Sequence, residues 1–141
     1  FLPALRQYLK RFGEQYGLRA ELDESPAWHD NLLQPTVAAQ LVRIIQEALT
    51  NARKHAQAKH VRVILEVDGS CARVIIQDDG AGFDPALLHT APGQKDGLAF
   101  ISERAAEVGG SVTLQSAPGQ GTSVVVEVPV SGEPVTVNNE R

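Results

Sequence analysis

Leu2, Leu5, Leu9 and Phe12 recur at helical spacing, which predicts a first helix ending near Gly13 or Gly17. "LRAELD" follows as a short strand candidate, and "ESPAWHDNLLQP" as a loop. Pro35-Thr36 then opens a long helix whose apolar stripe is Leu41, Ile45, Ala48, Leu49 and Ala52, and the run from Ile44 to Val61 reads as its continuation. Val61, Val63, Leu65 and Val67 alternate, turn at Asp68-Gly69-Ser70, and return as Ala72 to Gln77, the pattern of a hairpin. From Gly80 to Gly97 no periodicity survives. Leu98 to Val108 is helical again and stops at Gly109-Gly110, and two more strands flank Pro118-Gly119-Gln120-Gly121. The polar tail, residues 131–141, has no pairing pattern and reads as a frayed end to a single domain over residues 1–130. There are no internal repeats. The expected fold is α+β: a two-layer sandwich of a mixed, mostly antiparallel sheet with helices on one face.

The long helix carries a second stripe. At 100° per residue with Glu47 as zero, Asn51 falls at about 40°, Lys54 at about −20° and His55 at about 80°. The apolar stripe lies between about 100° and 200°. Arg53 and Gln46 lie elsewhere and read as solvated. A polar helical face is ordinarily just a wet one, and charge patterning alone favours that plain explanation. Asn51 weighs against it, because asparagine is a poor helix former that gains nothing there unless it binds something.

Composition removes several classes of function. The chain has 141 residues, 43% apolar and 21% charged, enough for one domain with a real core. A net charge of −4 argues against a nucleic-acid binder, whose footprint is basic. The lone cysteine, Cys71, excludes an internal disulfide and any multi-cysteine metal site, and its apolar surroundings suggest a small core residue. No apolar run is long enough to cross a bilayer, and the first twelve residues lack a secretion signal, so direct membrane insertion is not expected and a cytoplasmic location is.

Three further segments could carry chemistry. "IIQDDGAGF" ends a strand in Asp78-Asp79-Gly80-Ala81-Gly82. An aspartate there can accept a hydrogen bond from an exocyclic amine, and the two glycines allow a sharp turn and close approach of a flat ligand. Gly97 precedes a helix whose first amides are unpaired and suited to phosphate. Gly121-Thr122 enters the last strand and offers a hydroxyl. Each has a plain counterpart: an acidic turn, a loop–helix junction, a strand start.

Together and in this order, they resemble the nucleotide-binding boxes of the GHKL ATPase superfamily, which includes gyrase and the sensor histidine kinases. "QEALTNARKHAQAKHV" looks like the N box, "DDGAGF" the G1 box, "DGLAFISERA" the G2 box, and "GQGTSVVVEVP" the closing Gly-Thr strand. "EALTNARKHAQA" and "GLAFISERA" are most similar to kinases of the nitrate/nitrite sensor type, partners of NarL-like regulators. The resemblance covers roughly residues 1–130 and implies the Bergerat ATP-binding fold, with ATP and Mg²⁺ as ligands. It implies Asn51 as the Mg²⁺ ligand, with Glu47 acting through a metal-bound water. Lys54 and His55 would meet phosphate, and Asp78 the adenine amine, in a pocket shaped by Gly80, Gly82 and Thr122. Gly97 and Leu98 would contact nucleotide at the hinge of a lid over residues 84–96.

Two departures accompany the resemblance. Gly97-Leu98-Ala99 keeps only the first glycine of the usual G2 pair, and Asp79 stands where many relatives have asparagine and is expected to point outward. The chain also has no helix for a phosphoacceptor histidine. His29, His60 and His89 read as a loop, a helix-end and a lid residue with ordinary roles. The implied partners are therefore a histidine-bearing dimerisation domain of the same parent protein and, downstream, a response regulator. The rival readings are a water-activating GHKL ATPase, an anti-sigma-type serine kinase, and a degenerate ATP-binding module.

Overall fold

The computed structural model describes residues 1–54, 57–82 and 97–130. Eight elements follow in order: α1 (Leu2–Tyr16), β1 (Arg19–Glu24), α2 (Pro35–Lys54), β2 (His60–Asp68), β3 (Cys71–Asp78), α3 (Gly97–Glu107), β4 (Ser111–Ser116) and β5 (Thr122–Pro129). The strands form one five-stranded sheet in the order β1-β2-β3-β5-β4. Only β1 and β2 pair in parallel, and α2 is the crossover that such a pair requires. Every other pair is antiparallel. The expected mixed sheet with helices against it is what the chain forms. The expected tail, residues 131–141, and the expected lid lie outside the described residues.

One face of the sheet makes the core. Val63, Ile76 and Val124 stand side by side across three strands, then Leu65, Val74 and Val126, then Ala72 with Val128, all buried. Leu41, Ile44, Ile45 and Leu49 of α2 and Ile101 of α3 close over them with no exposure. Leu2, Leu5, Leu9 and Phe12 complete the layer from α1, where Pro3 opens the helix and Gly17 ends it with φ 69°. Burying a leucine or isoleucine side chain of this kind contributes about 1.5–3 kcal/mol, so the three rows dominate the stability of the sandwich.

Three expectations are corrected here. The helix from Pro35 stops at Lys54, and His60 and Val61 already belong to β2. His60 is therefore a strand residue, not a helix-end one, and its Nε2 lies 2.9 Å from the Glu21 carboxylate. Cys71 is half-buried rather than core, because Ala72 takes the inward position and alternation turns Cys71 to the open face. That face also carries Arg73, bonded to Glu127 at 3.0 Å and to Glu66 and Asp68 at 3.2 Å.

Asp79 does project outward, yet it is a staple. Its carboxylate accepts hydrogen bonds from the Lys59 and His60 amides, both at 2.9 Å, and so ties the end of β3 to the start of β2. These amides, His60 first, hold its pKa below the ordinary carboxylate value. A carboxyl with a lower pKa folded than unfolded stabilises the fold above its unfolded value of 3.8, and that contribution disappears as pH falls through the folded pKa. Asp79→Ala should cost about 1 kcal/mol at pH 7 after allowance for solvent screening, or about 3 °C in Tm. Melts of both proteins should converge as pH drops below about 4. A gap that persists at low pH would remove the electrostatic part of this account.

Candidate functional site

The three apolar rows end in a fourth row of different chemistry. Beyond Ile76, strand alternation puts Asp78 on the helix-facing side, beyond Val124 it puts Thr122 there, and the register sets Asp78 opposite both Val61 and Thr122. Thr122 in turn faces Ser116 on β4. The Ser116 and Thr122 hydroxyls lie 2.9 Å apart, and Ser116 also donates to the Gly121 carbonyl at 3.1 Å. Sequence reading missed Ser116. Counting the hairpin register outward from the Pro118–Gly121 turn is the signal that finds it.

Among the described residues, Asp78 is held without a counter-charge. Its carboxylate accepts from the Gly80 amide at 2.8 Å and from the Thr122 amide. Burial nevertheless raises its pKa above the usual value, and those two bonds and the neighbouring Asp79 only modify that effect. A desolvated carboxylate with spare lone pairs is suited to receive a ligand N–H.

The glycines serve packing as much as access. A Cβ on Gly82, at φ 68°, would stand 2.1 Å from the Ala117 carbonyl oxygen, and one on Gly121, at φ 74°, would stand 2.3 Å from that of Asp78. The Gly119 amide donates to the Ala81 carbonyl. The G1 loop therefore lies backbone to backbone on the β4–β5 turn, a demand from within the chain that sequence reading had credited to the ligand.

The helices converge on this same end of the sheet. The N-terminal turns of α2 (Gln34, Thr36, Val37) share a crevice with Glu107, Val108, Pro129 and Val130 at the far end. The last turn of α2 consequently lies over the Asp78–Thr122 end, where Asp79 bonds the residues that follow it. Gly110, after α3, approaches Glu127 and Val128, so α3 begins at the Asp78–Thr122 end too, with Gly97 as its first residue. Glu47 and Thr50 face Phe100 of α3 across an open crevice of ≈ 550 Å³.

Glu47 and Asn51 are half-buried and Lys54 is exposed. Among the described residues, none of the three has a side-chain hydrogen-bond or ion-pair partner. Ile44, nearly in line with Asn51 two turns earlier, is fully buried. The polar stripe therefore starts at Glu47 on the α2–α3 crevice and runs out to the exposed Lys54. Arg53 is not solvated as expected: it is half-buried, its guanidinium 4.1 Å above the Tyr16 ring centroid. His55 and residues 84–96 lie outside the described residues, as does the side chain of Leu98. No group of three or more His, Cys, Asp or Glu among the described residues could hold a metal alone. One carboxamide with one nearby carboxylate fits a hard cation that keeps its waters and takes its other ligands from phosphate.

This architecture has relatives. Residues 36–132 match the family of histidine kinase-, DNA gyrase B- and HSP90-like ATPases. The chain belongs to that family. It is 39% identical over 129 residues to an uncharacterized sensor-like histidine kinase of Chloroflexus aurantiacus, covering 89% of this chain and 22% of that protein. It is 32% identical to the histidine-protein kinase/phosphatase DegS of Brevibacillus brevis, covering 94% and 33%, and 32% identical to LiaS of Bacillus subtilis, covering 92% and 35%. The chain thus spans about a fifth to a third of these relatives' length. The histidine kinase domain of the Erythrobacter litoralis EL346 blue-light-activated kinase superposes with a TM-score of 0.74 at 21% identity, covering 97% of this chain and 64% of that one. The mycobacterial sensor kinase MprB superposes at 0.66 and 22%, covering 92% and 95%. No described helix is long and apolar enough to cross a membrane.

Proposed function

We propose that the domain binds ATP with Mg²⁺ and directs the γ-phosphoryl group to a histidine on the dimerisation domain of a two-component sensor kinase of the nitrate/nitrite type. From there the group would pass to a response regulator in the cytoplasm. The observation that carries this reading is that the last turn of α2, which bears Asn51 and Lys54, lies at the end of the sheet that carries the Asp78–Thr122 row. Asp78 would accept from the adenine amine, with Gly80, Gly82 and Thr122 forming the wall around it. The Asn51 carboxamide oxygen would hold the metal, and Glu47, one turn before, would orient a bound water. Lys54 and His55 would balance phosphate charge, and Gly97 and Leu98 would meet the phosphates where α3 begins. When bound, magnesium would supply charge neutralisation at the phosphates. The chain's own part is to position and to exclude water, which suits a loose phosphoryl-transfer transition state.

The test is titration of the domain with a fluorescent ATP analogue, with and without Mg²⁺, in competition with ATP and GTP. Wild type should bind more tightly with the metal and prefer adenine. Asp78→Asn presents an amide N–H₂ that guanine's O6 can accept, so discrimination should fall about tenfold or more. The same change should leave Tm equal or slightly higher. A carboxyl with a raised folded pKa loses stability as pH rises through that pKa, and a neutral amide does not. Unchanged adenine preference in this variant would defeat the assignment of Asp78.

A further inference from the structure

The last turn of α2 is where a helix ordinarily frays, since its final carbonyls have no partner within the helix. The site described above asks that turn to hold Asn51 and Lys54 in register with a triphosphate, although neither side chain has a protein partner among the described residues. Two contacts steady the turn. The Ala58 amide donates to the Ala52 carbonyl at 3.0 Å and closes the backbone. On the far side of the helix, about 160° from Asn51 by helical arithmetic, Arg53 lies on the face of Tyr16. Among the described residues, the buried Arg53 Nε has no hydrogen-bond partner, and the neighbour that the guanidinium meets is the Tyr16 ring. Tyr16 is itself braced. Phe12 meets it edge-on at 5.1 Å and Tyr8 stacks on Phe12 at 6.1 Å, a ladder at i, i+4 and i+8 along α1. Yet Tyr16 keeps 40% of its surface in water, a poor use of a large ring if packing were its only purpose.

We infer that Tyr16 and Arg53 are a positioning pair: α1 grips the back of α2's last turn through a cation–π contact and so sets the Asn51 carboxamide for the metal–phosphate group. The inference rests on the nucleotide-binding reading above and adds two residues that do not line the site. It makes the metal-dependent part of affinity sensitive to α1, while the adenine wall, built on β3 and β5, is not.

The experiment compares wild type with Tyr16→Phe, Tyr16→Leu, Arg53→Leu, the Tyr16→Leu/Arg53→Leu double variant, and Asn51→Ala. Affinity for a fluorescent ATP analogue is measured with Mg²⁺ and with chelator, alongside thermal melts. Tyr16→Phe keeps the π face and should keep the wild-type gain on adding Mg²⁺. Tyr16→Leu keeps apolar bulk without the π face and should reduce that gain about three- to tenfold, leaving metal-free affinity unchanged. Arg53→Leu should match it, and the double variant should be no worse than either single change, as for partners in one contact. Arg53→Leu carries the test alone if Tyr16→Leu does not fold. The pair's role is overturned if Asn51→Ala loses the gain while Tyr16→Leu and Arg53→Leu keep it. It is equally overturned if both affinities fall together or the two losses simply add. A wild type with no gain from Mg²⁺ overturns the underlying reading instead, before the pair is in question.

Discussion

Asn51→Ala should abolish most phosphoryl transfer while leaving the fold intact or slightly firmer. Alanine is the better helix former by about 0.5 kcal/mol, and among the described residues Asn51 has no hydrogen-bond partner to lose when truncated. A melt should therefore stay within about 2 °C of wild type. Function should move the other way. The carboxamide oxygen is the neutral hard donor of the stripe, and on the proposed reading Glu47, a turn away, would orient a water rather than replace it. Losing the Mg²⁺-dependent share of ATP affinity should cost about tenfold, or ~1.4 kcal/mol. Transfer to a supplied histidine-bearing dimerisation domain should fall about a hundredfold or more, the scale set by removing one preorganised electrostatic contact. Radiolabelled phosphotransfer read beside a circular-dichroism melt separates the two. A variant that melts normally and still transfers at the wild-type rate would deny Asn51 any place at the phosphates.

What could be read in the sequence followed from local periodicity. Strands β2, β3 and β5 were legible because a sheet with one buried face forces Val61, Val63, Leu65 and their partners into alternation. The Glu47–Asn51–Lys54 stripe was legible because helical pitch is fixed. The end of α2 was not, because no glycine or proline marks it. Gln57, just beyond it, takes φ 53°, a conformation that sequence rules assign to glycine. Cys71 was placed in the core from its apolar neighbours alone, whereas strand parity, with Ala72 inward, turns it to the other face of the sheet. Arg53 was misread, and the packing demand on Gly82 was missed, for a shared reason. The partner of one is Tyr16, on another helix, and that of the other is Ala117, beyond α3. Such long-range neighbours leave no trace in a local pattern. Asp78 shows how the two kinds of information meet: its inward position follows from alternation, but its burial depends on where the helices stop covering the sheet.

The close packing at Gly82 supplies a sharp stability test. Gly82→Ala should be among the most damaging single-methyl additions in the molecule. The new Cβ would stand 2.1 Å from the Ala117 carbonyl oxygen and 3.0 Å from that of Gly121, both backbone atoms. Neither can retreat freely, because the Gly119 amide binds the Ala81 carbonyl beside them and Gly121 presses on the Asp78 carbonyl from the other side. Backbone strain at φ 68° adds to the clash. A loss of about 3 kcal/mol, near 10 °C in Tm, is expected. Gly69→Ala is the control, since Gly69 has almost the same φ, 61°, but nothing within 4 Å of its added Cβ. That variant should lose only about 1 kcal/mol, from strain alone. The difference between the two isolates the contact of the G1 loop with the β4–β5 turn. Because Asp78 is anchored by the Gly80 and Thr122 amides on either side of that contact, Gly82→Ala should also weaken adenine binding at temperatures where it remains folded. Equal melting of the two variants would mean that the loop yields easily and that the carboxylate is fixed by something other than this backbone junction.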